Sequence, residues 1–160
     1  MKVYFQPSEK FIQKANRIFQ QEKIRINGLI PEADIQHIGS TSIPGALTKG
    51  DLDIVVRVPT ERFNETVEYL KRIYQINQPE NWTENFASFK DEENLGIDFG
   101  AQLVIKDSKE DDFVKLRDKL LTNPDLLKEY NQMKERFEGQ GMDEYRKEKA
   151  DFFEKLRRSN

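Results

Sequence analysis

The chain has 160 residues, no cysteine, and 26 Lys plus Arg against 29 Asp plus Glu, for a formal charge of −3. Without cysteine there is no disulfide framework, thiolate metal site or catalytic thiol, and without a basic excess there is no broad duplex-DNA footprint. Apolar residues are 36% of the chain but include 11 Phe, and a few large rings fill a small core.

Ser8 precedes Phe11, Ile12, Ala15, Ile18 and Phe19. That spacing predicts a helix capped by Ser8 and running to about Arg25. Gly28 and Pro31 end it. Ile35 to Ile38 reads as a short strand, and Gly39 to Gly50 as a loop. Leu52, Ile54, Val56 and Val58 alternate with Asp51, Asp53, Val55 and Arg57, which is strand period, and Pro59 stops it. Thr60 caps a helix carrying Phe63, Val67, Leu70 and Ile73. Trp82, Phe86 and Phe89 read as strand residues, Lys90 to Asn94 as a turn, and Ile97 to Ile105 as a second clear strand, the two forming a hairpin.

The last third reads as three helices. The first carries Phe113, Leu116 and Leu120. The second opens on Asn123-Pro124, a cap followed by proline at the first helical position. The third opens near Asp143, after Gly139 and Gly141, and carries Tyr145, Lys149, Phe152, Phe153 and Leu156. The order predicts one α+β domain over residues 1–160, a small mixed sheet flanked by helices with a helical C-terminal part. No apolar run reaches the length of a signal peptide or membrane span, so the chain reads as soluble and cytoplasmic.

The stretch from His37 to Val58 carries the chemistry. Asp51 and Asp53 lie on one face of their strand, and two neighbouring carboxylates repel unless a cation sits between them. Oxygen ligands of this kind suit Mg²⁺, which takes one or two carboxylates plus substrate phosphates. Gly39 admits a phosphate close to the backbone and Ser40 can donate to it. Together these parts can hold a metal–triphosphate complex, with ATP or another NTP as the nucleotide.

Gly-Ser followed about ten residues later by Asp-x-Asp resembles the signature of the nucleotidyltransferase superfamily. The string His37-Ile-Gly-Ser-Thr-Ser-Ile-Pro-Gly45, with Lys49, resembles the GrpB-like family within it. Gln102-Leu103-Val104, Arg117-Asp118, Asn123-Pro124, Met133-Lys134 and Tyr145 with Lys149 extend the match to nearly the whole chain. The resemblance implies a nucleotidyltransferase-like fold and Mg²⁺-dependent transfer of a nucleotidyl group from an NTP to a hydroxyl of a small molecule or protein. It implies metal ligands at Asp51 and Asp53, a third carboxylate at Asp98, and phosphate contacts at Gly39, Ser40, Thr41 and Lys49. Many members carry a Pro–hydrophobic pair where this chain has Gly50-Asp51, and His where it has Gln102.

Plainer readings stand beside these. The acidic pair is also what the wet face of an edge strand looks like, and Asp98 what the solvent side of an antiparallel strand looks like. His37 is either a hydrogen-bonded strand end or a general base. Lys49 is a phosphate ligand or a solvated loop lysine. Arg57 is placed to pair with Asp53 or with a triphosphate. Among the helical cations, Lys149 borders the Phe152–Leu156 stripe, where a lysine lays its stem on the core and extends its ammonium into a groove. The alternative to transfer is a nucleotide-binding or regulatory module with the same fold and no transfer activity.

Overall fold

The computed structural model describes residues 1–159. In chain order these form β1 (Gln6–Pro7), α1 (Ile12–Asn27), β2 (Asp34–Ile38), β3 (Leu47–Thr48), β4 (Leu52–Val58), α2 (Phe63–Ile73), β5 (Gln75–Ile76), β6 (Phe86–Asp91), β7 (Phe99–Ile105), α3 (Phe113–Thr122), α4 (Pro124–Arg136) and α5 (Met142–Arg158). Five strands form one sheet in the order β2-β4-β7-β6-β5, and β1 pairs with β3 apart from it. Only the β4–β7 pair is parallel within that sheet. A parallel pair needs a crossover, which runs through α2 and the β5–β6 hairpin. The architecture is α+β with a mixed sheet, as the element order implied.

The alternation in β4 sorts its residues between two faces. Leu52, Ile54, Val56 and Val58 are fully buried against α1 and α2, where Ile18, Phe19, Phe63 and Leu70 meet them. Each such side chain contributes roughly 1.5–3 kcal/mol by leaving water. The opposite face carries Asp53, Val55 and Arg57, and α3 covers part of it through Phe113 and Val114 packed on Ile38, Val55 and Val104. A second core joins α3, α4 and α5 through Leu116, Leu120, Tyr130, Met133 and Tyr145. Val3 and Ile43 belong to that core, so the N-terminal segment and the loop after β2 are packed under the C-terminal helices.

Several boundaries differ from the sequence reading. Ser8 does not cap α1. It is fully buried and its hydroxyl donates to the Ile43 carbonyl at 2.9 Å, while the helix starts four residues later without a side-chain cap. Trp82 lies outside the strands, and β6 extends through Lys90 and Asp91 into the expected turn. The last strand starts at Phe99, so Ile97 and Asp98 precede it. The Asn123 cap is present, its side chain accepting the Leu126 N–H at 3.1 Å. Among the described residues no helix is long and apolar enough to cross a membrane.

Candidate functional site

At the end of β2, Gly39 takes φ +76°, in the left-handed region that glycine enters at little cost. The chain then turns through Ser40–Ser42. Ser40 Oγ donates to Thr48 Oγ1 at 2.7 Å, and Thr41 Oγ1 donates to the Asp51 carbonyl at 2.8 Å. The outer part of the loop is pinned from two sides. β1 pairs with it, Gln6 opposite Thr48. From α4, Asn131 accepts from Leu47 N at 2.9 Å and donates to the Gly45 carbonyl at 2.8 Å, and Lys134 Nζ donates to the Leu47 carbonyl. The turn is therefore held in shape before any ligand arrives.

Asp53 sits in register between Ile38 of β2 and Gly100 of β7. A Cβ built on Gly39 would stand 2.7 Å from Asp53 Oδ2, and one on Gly100 would stand 2.7 Å from Oδ1. Two glycines thus make the slot that the carboxylate occupies. Burial, then repulsion from Asp51, pushes Asp53 up to about 6, against the pull of Lys149, Lys49 and Lys134. Asp51 itself pairs with Lys49 at 3.5 Å.

Asp53 opens into a cavity of about 520 Å³ between the sheet and the C-terminal helices. The sheet side supplies Gly39, Ser40, Asp53 and Gln102. α3 supplies Phe113, Leu116, Arg117 and Leu120, and α5 supplies Arg146, Lys149, Phe153 and Arg157. Both sets follow helical spacing, so each helix turns one face to the cavity. Four cations thus meet one carboxylate, although the whole chain is acidic. Arg117 donates to the His37 carbonyl at 2.9 Å and pairs with Asp118, and Arg157 pairs with Asp112 at 2.6 Å. Among the described residues Arg146 and Lys149 have no ion-pair partner. Tyr130 first, then Tyr145, Asp53 and Asp51, holds Lys149 above the ordinary lysine value, outweighing its burial. Lys134 is fully buried with its ammonium 3.9 Å from the Tyr130 ring centre. Burial, then repulsion from Lys149 and Lys49, lowers it well below the ordinary value.

Of the residues singled out in the sequence, Gly39, Ser40, Asp53 and Lys149 line this one cavity, whereas Asp51, expected beside Asp53 on the strand, precedes β4, turns to Lys49 and is not in the lining. Thr41 is buried beneath the turn. Lys49 and Asp98 line a different cavity of about 320 Å³, beside Phe11, Lys14 and Glu92. Asp98 is raised by burial, then by Asp51 and Glu92, so the acidic residues form a chain with Asp51 in the middle rather than a cluster around Asp53. Arg57 does not reach Asp53; it pairs with Asp34 at 2.6 Å and Asp111 at 2.8 Å. His37 lies 2.9 Å from Thr41 Oγ1 and stacks on Phe19, and burial, then Arg117, holds it down to about 4. Gln102, Arg146 and Arg157 were not legible as site residues. Their signal lies in spacing: Arg146, Lys149, Phe153 and Arg157 share one helical stripe, and Gln102 shares the Asp53 face of the sheet.

The donor set suits a hard divalent cation. Asp53, in a slot kept open by glycines, is the carboxylate that the cavity offers a cation, and Asp51, which pairs with Lys49, adds negative charge beside it. Among the described residues no three Asp, Glu or His side chains come together as a ligand set. A cation here would complete its shell with phosphate oxygens and water, which is how Mg²⁺ is ordinarily bound.

A family model described as GrpB protein matches residues 10–159. A UPF0157 protein of Vibrio cholerae is 32% identical over 152 residues, which cover 95% of this chain and 80% of that protein. The crystal structure of the conserved protein GrpB from Enterococcus faecalis superposes with a TM-score of 0.63 at 19% identity, over 76% of each chain. Cid1 poly(U) polymerase, in a structure with MgGTP bound, superposes with a TM-score of 0.53 at 15% identity over 81% of this chain and 42% of that one. These likenesses make the fold nucleotidyltransferase-like, and this chain spans less than half of the Cid1 chain.

Proposed function

The chain belongs to the GrpB family, and we propose that its cavity binds a metal–nucleoside triphosphate and transfers the nucleotidyl group to an acceptor oxygen. Asp53, with Asp51 beside it, would hold the metal. Gly39 and Ser40 receive the phosphates on one side, and Lys149 meets them from α5 on the other. Thr41 shapes the turn beneath, and Lys49 balances the charge of Asp51. Mg²⁺ held there would supply charge to offset the phosphates and polarise the α-phosphoryl group. The acceptor oxygen bonds to the α-phosphorus, the bond to the α,β-bridging oxygen breaks, and pyrophosphate leaves. The observation that carries this reading is the Asp53 carboxylate, lodged between Gly39 and Gly100 in the cavity that Lys149 also lines. The MgGTP in Cid1, which shares the fold, supports the ligand class.

A second reading, a nucleotide-binding or regulatory module without transfer, is favoured by one observation. β7 turns Gly100 and Gln102 toward Asp53, and Asp98 opens onto the other cavity. Calorimetric titration with ATP, with and without Mg²⁺, tests the shared part: clear binding is expected only with Mg²⁺. Asp53→Asn should abolish that dependence and leave the fold intact, because Asp53 has no hydrogen-bond or ion-pair partner among the described residues. Equal affinity with and without metal overturns the reading. Movement of label from α-labelled NTP to an acceptor separates transfer from binding alone.

A further inference from the structure

A hydroxyl that attacks phosphorus gains about 10²–10⁴-fold in rate when a base within hydrogen-bond reach takes its proton. Among the described residues the titratable groups lining the cavity are Asp53, Tyr130, Lys149 and three arginines. Asp53 is committed to the metal. Guanidinium does not lose its proton, and lysine and tyrosine ordinarily titrate near 10 or above. Gln102 is the β7 side chain beside Asp53, its Nε2 3.9 Å from the Gly100 Cβ position that Asp53 Oδ1 approaches at 2.7 Å. An amide donates and accepts hydrogen bonds but takes up no proton. Asp98 opens elsewhere, and His37 is turned toward Thr41 and Phe19. Among the described residues a hydroxyl in this cavity therefore finds no base.

An oxyanion needs none, and the same walls attract it. Among the described residues Arg146 has no ion-pair partner, and it stands one turn before Lys149 on α5, about 4.5 Å away along the helix axis. Leu116 and Phe153 supply apolar surface next to that charge. Resting on the nucleotidyl-transfer reading above, we infer that the acceptor is a small molecule with an apolar body and an oxyanion, a phosphate or a carboxylate, and that this oxyanion is the nucleophile. One of its oxygens bonds to the α-phosphorus and the bond to the bridging oxygen breaks. Pyrophosphate leaves with the electron pair, no proton moves, and the product is a phosphoanhydride or an acyl nucleotide.

The test uses the full chain loaded with Mg²⁺ and α,β-methylene-ATP, titrated calorimetrically with phenyl phosphate, benzoate and benzyl alcohol. At least one oxyanion should bind, and benzyl alcohol should bind tenfold more weakly or worse. Arg146→Ala should weaken the oxyanion about tenfold, the effect of losing one charged hydrogen bond. With α-labelled ATP, label should pass to the oxyanion that binds, at a rate flat from about pH 6.5 to 8.5 because no acceptor proton is removed. Phenyl phosphate and benzoate separate the two head groups. The inference is overturned if benzyl alcohol binds as tightly, if label passes to benzyl alcohol or to the 3′ hydroxyl of an oligouridine, or if Arg146→Ala changes nothing. If the Mg²⁺–nucleotide complex itself does not form, the nucleotide reading falls and the inference with it. A loaded protein that prefers the alcohol overturns the acceptor class alone.

Discussion

Replacing Gly100 by Ala tests the slot around Asp53. The Gly100 backbone is ordinary strand, not left-handed, so the substitution removes unfolded-state entropy and by itself should stabilise by about 0.5–1 kcal/mol. The added Cβ would stand 2.7 Å from Asp53 Oδ1, closer than real contacts allow. The carboxylate must turn away by several tenths of an ångström, and with Gly39 against its other oxygen the free direction is out into the cavity. Its own restoring forces are weak, because it has no hydrogen-bond partner among the described residues. The two effects nearly cancel, and urea unfolding should show a net change under about 1 kcal/mol. Binding should suffer far more, since a metal ligand displaced by a fraction of an ångström loses its geometry. Calorimetry should show Mg²⁺–ATP affinity falling at least about tenfold. In an Asp53→Ala background the same substitution meets nothing and should stabilise by about 0.5–1 kcal/mol, leaving a coupling of about 1 kcal/mol between the two sites. Equal stability effects in both backgrounds, or a Gly100→Ala protein that binds Mg²⁺–ATP like the parent, would refute the steric argument.

His37 is held down to about 4 by burial, then by Arg117. Because the folded state refuses a proton that the unfolded chain accepts near 6.5, stability should fall as pH drops from about 6.5 to 4, by up to about 3 kcal/mol. Urea midpoints of the parent minus those of His37→Gln isolate this contribution from the acids, and a difference independent of pH would contradict it. Arg57 joins β4 to Asp34 of β2 and to the buried Asp111. Arg57→Met strands that buried carboxylate and should lose roughly 3 kcal/mol, whereas Arg57→Met with Asp111→Leu should recover most of it; thermal unfolding of both proteins reads this.

The elements that repeat their pattern were legible. β4 and β7 alternate over seven residues each, and α2, α4 and α5 carry apolar stripes that match the faces they bury. The two-residue strands β1, β3 and β5 were not, because a period cannot show in two residues and long-range pairing alone makes them strands. Ser8 looked like a cap because a serine ahead of an apolar stripe ordinarily is one. Here tertiary structure outbids the local choice, since the Ile43 carbonyl, 35 residues away, takes the hydroxyl. The slot around Asp53 was legible for a similar local reason: Gly-Ser and Asp-x-Asp lie within 15 residues. The rest of the cavity was not, because its cations come from α3 and α5, and a helix sequence does not say which polar side faces a groove. Asp98 shows the opposite failure. It has the right parity on β7, yet it stands before the strand begins, and the position nearest Asp53 falls to Gly100.

That vacancy at Gly100 leaves Gln102 as the β7 side chain nearest the acid pair, and Gln102→Glu turns it into a test of the metal site. Asp53 Oδ1 and Gln102 Nε2 both approach the Gly100 Cβ position, at 2.7 and 3.9 Å, so a carboxylate there would stand less than about 7 Å from Asp53 and repel it by about 2 kcal/mol at an effective dielectric constant of about 20. Without divalent metal, at pH 8 where both groups are ionised, the melting temperature should fall by about 4–8 °C for a chain of this length. With excess Mg²⁺ the sign reverses, because the added carboxylate becomes a further ligand for an ion that the pair already attracts. The loss should then disappear or turn into a gain. Scanning calorimetry with EDTA and with Mg²⁺ measures both limbs. A drop of equal size in the two buffers would mean that no cation reaches the space between Asp53 and β7, and the metal site argued from Asp51 and Asp53 would not stand. No drop in EDTA would mean that residue 102 points away from Asp53, and the assignment of an amide beside the nucleophile would fail instead.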